Sequence, residues 1–356
     1  MKRLLSLFFV VSTLTLFAGI TWAGDIPIVQ PNAAEKFATL PDGVRFPEGI
    51  AANPSTGEIY VGTFDFGPNP NALLRFSKTG KLLGTLDFGG APLLGLAYNA
   101  LDDKVYIANL GASEIQRVTA DFTAGSVVET VAILPGIGAP GPRIETNNPD
   151  TSQDLITFGS NNFPAANALT FDSGGRLYVS DSFQGAVYRI DAADLCGPCP
   201  VVTVVHDPLL ATAGFPPFGA NGIDLNADES ALFIANTGDD RILHLDLGTN
   251  IVSVFAESIN GADGIAFDNR GRLWIAANQA DQVTVLNSAG RVIAELGEFL
   301  GVNSNGTARG LSFPASLVIV GNKVLVTNLA LPLTGPADAE SEVTRYTVSR
   351  ISTPQF

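Results

Sequence analysis

Two carboxylates and two amides, Glu48, Asp263, Asn167 and Asn221, occupy one place in a recurring sequence pattern and form a set of hard oxygen donors. Each leads a short apolar run: Glu48-Gly49-Ile50-Ala51-Ala52-Asn53, Asn167-Ala168-Leu169-Thr170-Phe171-Asp172, Asn221-Gly222-Ile223-Asp224-Leu225-Asn226 and Asp263-Gly264-Ile265-Ala266-Phe267-Asp268. A polar residue heading an apolar strand is costly to desolvate without a partner. Four of them meeting at one point would suit a divalent cation, with two carboxylates balancing its charge. Neither Cys nor His belongs to the set, which argues against zinc and copper and for Ca2+, other divalent ions being possible and water completing roughly six to eight ligands. The bland alternative is that Asn and Asp before Gly only cap turns.

Residues so far apart in the chain meet only if the fold repeats around an axis. Leu94-Gly95-Leu96-Ala97-Tyr98-Asn99 and, more loosely, Ser316-Leu317-Val318-Ile319-Val320-Gly321 complete the series, so the leading positions are 48, 94, 167, 221, 263 and 316. Each run is followed by a turn, a second apolar run such as Glu58–Val61, Lys104–Ile107, Arg176–Val179 or Arg272–Ile275, a polar turn and a third run. Sustained helical periodicity is absent. Six units of three or four short strands predict an all-β chain folded as a six-bladed β-propeller over residues 24–356, in which the first strand of every blade lines a central channel. The sixth unit runs out of strands after Thr344–Val348. Glu35–Leu40, ahead of the first unit, is expected to supply the missing outer strand and close the ring.

Composition agrees. The chain has 356 residues, 15% of them charged and 46% hydrophobic, which fits a folded, strand-rich protein and excludes disorder. Lys2 and Arg3, the uncharged stretch Leu4–Ile20 and the small-x-small site Thr21-Trp22-Ala23 read as a signal peptide over residues 1–23, cleaved after Ala23, with an uncleaved anchor as the alternative. The expected location is therefore secreted or periplasmic. Losing Lys2 and Arg3 takes the net charge from −15 to −17. Such a surface repels phosphate backbones and anionic lipid, so no nucleic-acid partner and no membrane partner is expected. Cys196 and Cys199, in Cys-Gly-Pro-Cys, are followed by Pro200 and the β-branched run Val201–Val205 rather than a helix, so they read as a local disulfide in an exported chain and not as a redox dithiol.

Phe46-Pro47-Glu48-Gly49, Ala220-Asn221-Gly222-Ile223 and the stretch Ala262-Asp263-Gly264-Ile265-Ala266-Phe267-Asp268-Asn269-Arg270-Gly271-Arg272-Leu273-Trp274 resemble the senescence marker protein/gluconolactonase family, within the calcium-dependent phosphotriesterase superfamily that also holds paraoxonase-type lactonases. The resemblance implies a six-bladed propeller with a channel calcium held by Glu48, Asn221 and Asp263, and Asn167 matches the Asn of paraoxonase-like members. It implies a small-molecule lactone or ester as substrate, and the chain is expected to act as a monomer. The paired channel histidines proposed for paraoxonases are missing. Of the two His present, His244 reads as structural, while His206, before Asn221, is placed near the channel mouth. Ser316 stands where squid-type enzymes have a His, so efficient organophosphatase activity is not expected.

Lactone hydrolysis needs less: a cation to polarise the carbonyl and a carboxylate to activate water. Asp263 is the expected catalytic base, with a direct nucleophilic role left open. The segment 135–165, rich in Gly and Pro, reads as a lid loop without regular structure. Phe163 and Phe218, with Phe158 and Phe215, make either an apolar mouth suited to a hydrophobic ester or packing for the loops; Ser316 and Asn109 complete the candidate substrate contacts. Two other readings stay open. One is a non-catalytic propeller whose calcium ties the blades together while the loops bind a ligand or a protein; the other is a strictosidine-synthase-like condensing enzyme, against which the intact acidic ring argues.

Overall fold

Short apolar runs punctuated by Gly, Asn and Asp turns pair as antiparallel hairpins, and the chain closes six four-stranded sheets around one axis. The computed structural model describes residues 26–146, 149–159, 162–333 and 338–354; the predicted signal peptide lies outside them. The innermost strands of blades one to six are Pro47–Ala52, Leu93–Asn99, Ala166–Phe171, Ala220–Leu225, Ala262–Phe267 and Pro314–Val320. Second strands such as Ile59–Thr63, Leu177–Asp181 and Leu273–Ala277 are buried throughout, because a neighbouring blade covers each face. Trp274, Tyr60, Tyr106 and Tyr188 are the bulkiest side chains fully enclosed in these layers. Among the described residues no helix is long and apolar enough to cross a membrane.

The ring closes as the sequence predicts. Ala34–Thr39 pairs antiparallel with Thr347–Ser352 and becomes the outer strand of blade six. Near the axis, the Thr327 hydroxyl donates to the Glu48 carbonyl oxygen at 2.7 Å, joining the last blade to the first. Ile28–Gln30 adds a fifth, parallel strand to blade five.

One irregularity repeats in all six blades and decides where the functional side chains point. Between Pro47 and Ile50 the inner strand takes three steps while its partner takes two, from Thr63 to Val61. The same bulge falls at Leu93/Leu96, Ala166/Leu169, Ala220/Ile223, Ala262/Ile265 and Pro314/Leu317. A bulge inserts an unpaired residue and re-aims its side chain. Glu48, Leu94, Asn167, Asn221 and Asp263 all stand on it.

This register corrects the sixth leading position. Leu317 is the counterpart of Ile50 and Ile265, so the residue equivalent to Glu48 and Asp263 is Ala315, and Ser316 matches Gly49 and Gly264. Loose similarity in blade six had hidden a slip of one residue.

The glycines after the bulge have a packing role. A side chain on Gly49 would collide with the Leu94 carbonyl oxygen, one on Gly222 with that of Asp263, and one on Gly264 with Ser316. None of these three is left-handed, so the capping alternative for the Asn-Gly and Asp-Gly pairs is set aside. They let each blade approach the next at the axis.

Candidate functional site

Glu48, Asn167, Asn221 and Asp263 are all buried and all line one cavity of about 90 Å³ at the axis. The fold therefore brings the four predicted ligands to one chamber, each carried there by the bulge of its inner strand.

A second tier, one residue beyond the second strand of each blade, orients them. Ser182 Oγ donates to the Ala220 carbonyl at 2.7 Å, which uses its only proton, so it accepts from Asn167 Nδ2 at 2.8 Å. Thr237 Oγ1 likewise donates to the Ala262 carbonyl at 2.7 Å and accepts from Asn221 Nδ2 at 2.9 Å. One N–H of each amide is thus held by a hydroxyl, and Asn221 also hydrogen-bonds the Asp263 carboxylate within the site. In blade five the equivalent residue is Asn278, whose Nδ2 donates to Asp263 Oδ2 at 3.0 Å. Ser182, Thr237 and Asn278 escaped the sequence reading. Their equivalence by position is the signal that finds them.

Three buried oxygens of these residues have no hydrogen-bond partner: Glu48 Oε2, Asp263 Oδ1 and Asn278 Oδ1. Burial, and then the nearby Asp263 charge, holds the Glu48 carboxyl well above the usual range. Burial also lifts Asp263 to about 7, against hydrogen bonds from Asn278 and Asn221 that lower it. Two adjacent carboxylates out of water resist simultaneous ionisation. Orphaned acceptors with no cationic side chain beside them are the donor set that a hard cation satisfies. Among the described residues no cluster of three or more Asp, Glu, His or Cys is found, here or elsewhere, and this site offers two carboxylates with two amides.

Other candidates fall elsewhere. Phe218 lines the cavity. Ser316 lines a separate space of about 60 Å³ bordered by Gly95, Gly222 and Gly264, where Asn167 and Asn221 also reach. Asn109 lies apart from both: its Oδ1 caps the turn Leu110–Ala112 through Ala112 N at 3.1 Å, and its Nδ2 donates to Gln116. Phe163 is 40% exposed and reaches the cavity only through Phe183. Cys196 and Cys199 are joined as a disulfide. His244 packs edge-on against Phe233. His206 ends the outer strand Val202–His206 of blade three, exposed, rather than bordering the channel, because the β-branched run before it continues the sheet.

The segment 135–165 does contain regular structure, a hairpin of Arg143–Glu145 with Asp154–Ile156. It is pinned to blade four by Arg143 to Asp239 at 2.7 Å and to the Pro208 carbonyl at 3.1 Å. Its described residues line none of the cavity, whose rim instead includes Pro216, Pro217, Phe218, Leu331 and Leu333. Asn147, Asn148, Ser160 and Asn161 lie outside the described residues.

A six-bladed propeller with a buried ring of oxygen donors is the class that fold and site define. Residues 217–297 match the family described as SMP-30/Gluconolactonase/LRE-like region, which bears out the resemblance read from the motifs. The matched stretch carries Asn221, Asp263 and the supporting Thr237 and Asn278. No functionally curated protein matches the sequence. Among solved structures, a luciferin-regenerating enzyme superposes with a TM-score of 0.62 at 14% identity, covering 90% of this chain and 94% of its own. The calcium-binding protein regucalcin from Agrobacterium tumefaciens gives 0.61 at 16% identity, covering 92% and 98%. A gluconolactonase from Xanthomonas campestris gives 0.58 at 16%, covering 90% and 89%. At such identities the likeness establishes the shared propeller fold.

Proposed function

We propose that the protein is an exported, calcium-dependent hydrolase of lactones or related esters. The observation that carries this reading is the pair of orphaned carboxylate oxygens, Glu48 Oε2 and Asp263 Oδ1, buried beside two amides held in place by hydroxyls. Glu48, Asn167, Asn221 and Asp263 would hold the ion. When bound, calcium supplies a Lewis acid for a carbonyl oxygen. The solved gluconolactonase and the calcium-binding regucalcin of the same fold support the class of chemistry.

The side chains divide the work. Asn278 fixes the Asp263 carboxylate through Oδ2, and Asp263 would hold the ion through one oxygen while still addressing a water molecule. As the water oxygen attacks the carbonyl carbon, Asp263 takes its proton. The ring C–O bond then breaks, and that proton passes to the departing alkoxide, giving the hydroxy acid. Direct attack by Asp263 would instead open the ring to an acyl-aspartate that water cleaves; label on Asp263 after a single turnover in labelled water would mark this route, through water attack at the aspartyl carbonyl. Export is supported by the leader sequence and by the Cys196–Cys199 disulfide, at home in an oxidising compartment. Sequencing the exported protein should begin at Gly24.

The test is turnover of a panel from gluconolactone through γ- and δ-lactones to aryl esters, with calcium, after chelation and after its restoration. Activity lost and regained without unfolding supports the reading. A chain that turns over nothing while calcium still raises its melting temperature is instead a propeller stitched together by its ion.

A further inference from the structure

The cavity wall is divided. Its polar groups, Glu48, Asn167, Asn221, Thr237, Asp263 and Asn278, come from blades one, three, four and five; every other described residue lining it is apolar. The apolar lining is Phe64, Leu94, Leu329, Leu331 and Leu333, with Phe313, from blades one, two and six, and Pro216, Pro217 and Phe218 from the stretch leading into blade four. From Phe218 a row of rings leads outward, through Phe183 at 5.5 Å to Phe163 at 6.3 Å beyond it. On the other side Phe218 meets Phe64 at 6.2 Å, and Phe64 meets Phe66 at 4.7 Å. Both ends of the row reach solvent, Phe66 being 71% and Phe163 40% exposed.

From this division we infer that the site takes a hydroxyl-poor lactone or ester bearing an alkyl or aryl chain, the chain lying against the leucines and the phenylalanine row, and that it rejects sugar lactones. The inference rests on the hydrolase reading for its reacting group, and on the apolar wall for the rest. One N–H of each of the Asn167, Asn221 and Asn278 amides is already given to Ser182, Thr237 and Asp263. A polyhydroxylated ring would set its hydroxyls against Leu329, Leu331 and Phe64, where nothing described answers them. Burying a hydroxyl without a partner discriminates strongly, whereas each methylene buried on such a wall strengthens binding by up to about fourfold.

Non-hydrolysable lactams test the wall apart from the chemistry. Calorimetry on the calcium-loaded protein should show γ-lactams with longer 5-alkyl chains binding progressively tighter, and gluconolactam at least tenfold weaker than the hexyl compound. Leu331→Asn should flatten the chain-length dependence. Phe163→Ser, at an exposed position that folding tolerates, should weaken only the longest chains. Gluconolactam bound as tightly as the alkyl lactams, or affinity indifferent to chain length, overturns the inference. If alkyl lactams bind as expected but no lactone is hydrolysed, the apolar site stands and the hydrolase reading falls. If gluconolactone is hydrolysed in preference to γ-nonalactone, the hydrolase reading stands and this inference falls.

Discussion

The two arcs of the channel share one backbone and oppose each other in chemistry. Blades two and six carry the same bulge as blades three, four and five, yet present Leu94 and Ala315 where the others present Asn167, Asn221 and Asp263. The supporting tier divides in the same way: Phe64, Leu110 and Leu329 in blades one, two and six against Ser182, Thr237 and Asn278 in blades three, four and five. Glu48 alone crosses the divide, sitting on blade one with its carboxyl near Asp263. The propeller thus sets where a side chain points, and side-chain choice on each blade makes one arc polar and the other apolar, the contrast on which the proposed cation and hydrocarbon sites rest.

Removing the carboxylate proposed to serve both binding and chemistry is the strongest way to break this contrast. Asp263→Ala should lower lactone turnover on the order of 10²–10⁴-fold and abolish the rise in melting temperature on adding calcium. The fold should persist, since the substitution also removes a buried carboxyl whose Oδ1 lacks a partner. Leu329→Ala, on the opposite arc, should leave the calcium response intact while costing about 2–5 kcal/mol of stability as a core cavity. Differential scanning calorimetry with and without calcium checks both; a calcium response lost in Leu329→Ala would erase the distinction between the arcs.

The pH dependence comes next in size. Both carboxyls are raised in the folded protein, so between the ordinary carboxylate range and about 7 the calcium-free folded state holds protons that the unfolded chain has lost. That contribution to stability is present at low pH and disappears as pH rises through about 7. Calcium, which requires both groups ionised, should do the reverse, its stabilisation growing from pH 5 to 8. A melting-temperature series with and without calcium over that window should diverge upward in pH. Parallel curves would mean that the ion binds elsewhere.

Much of this was legible in the sequence because repetition exposes equivalence. The leading residues of five blades, the closing strand near Glu35 and the disulfide pair could be read from position alone. What escaped had physical reasons. The slip in blade six arose because a bulge displaces register by one residue and Ser316 has no Gly after it to mark the place. Asn109 looks like a channel residue by its polarity, but it spends both ends of its amide on a turn and on Gln116. Ser182 and Thr237 act through protons given to the next blade's backbone, a relation between strands that no single run of sequence contains.

The smallest expected effect tests that relation. Thr237→Val keeps the shape of the side chain but leaves the Ala262 carbonyl and Asn221 Nδ2 without their partner at the junction of blades four and five. Two buried groups losing one partner should cost about 1–3 kcal/mol of stability. Calcium affinity should fall as well, because an amide released by the hydroxyl can turn its nitrogen toward the site. Thr237→Ser restores the oxygen and should recover the affinity. An equal loss of stability in Thr237→Val with calcium affinity unchanged would show that the hydroxyl only joins the blades. A loss of both, rescued by Ser, would show that the polar arc is polar by two tiers acting together, the outer hydroxyl choosing which atom of the inner amide meets the ion.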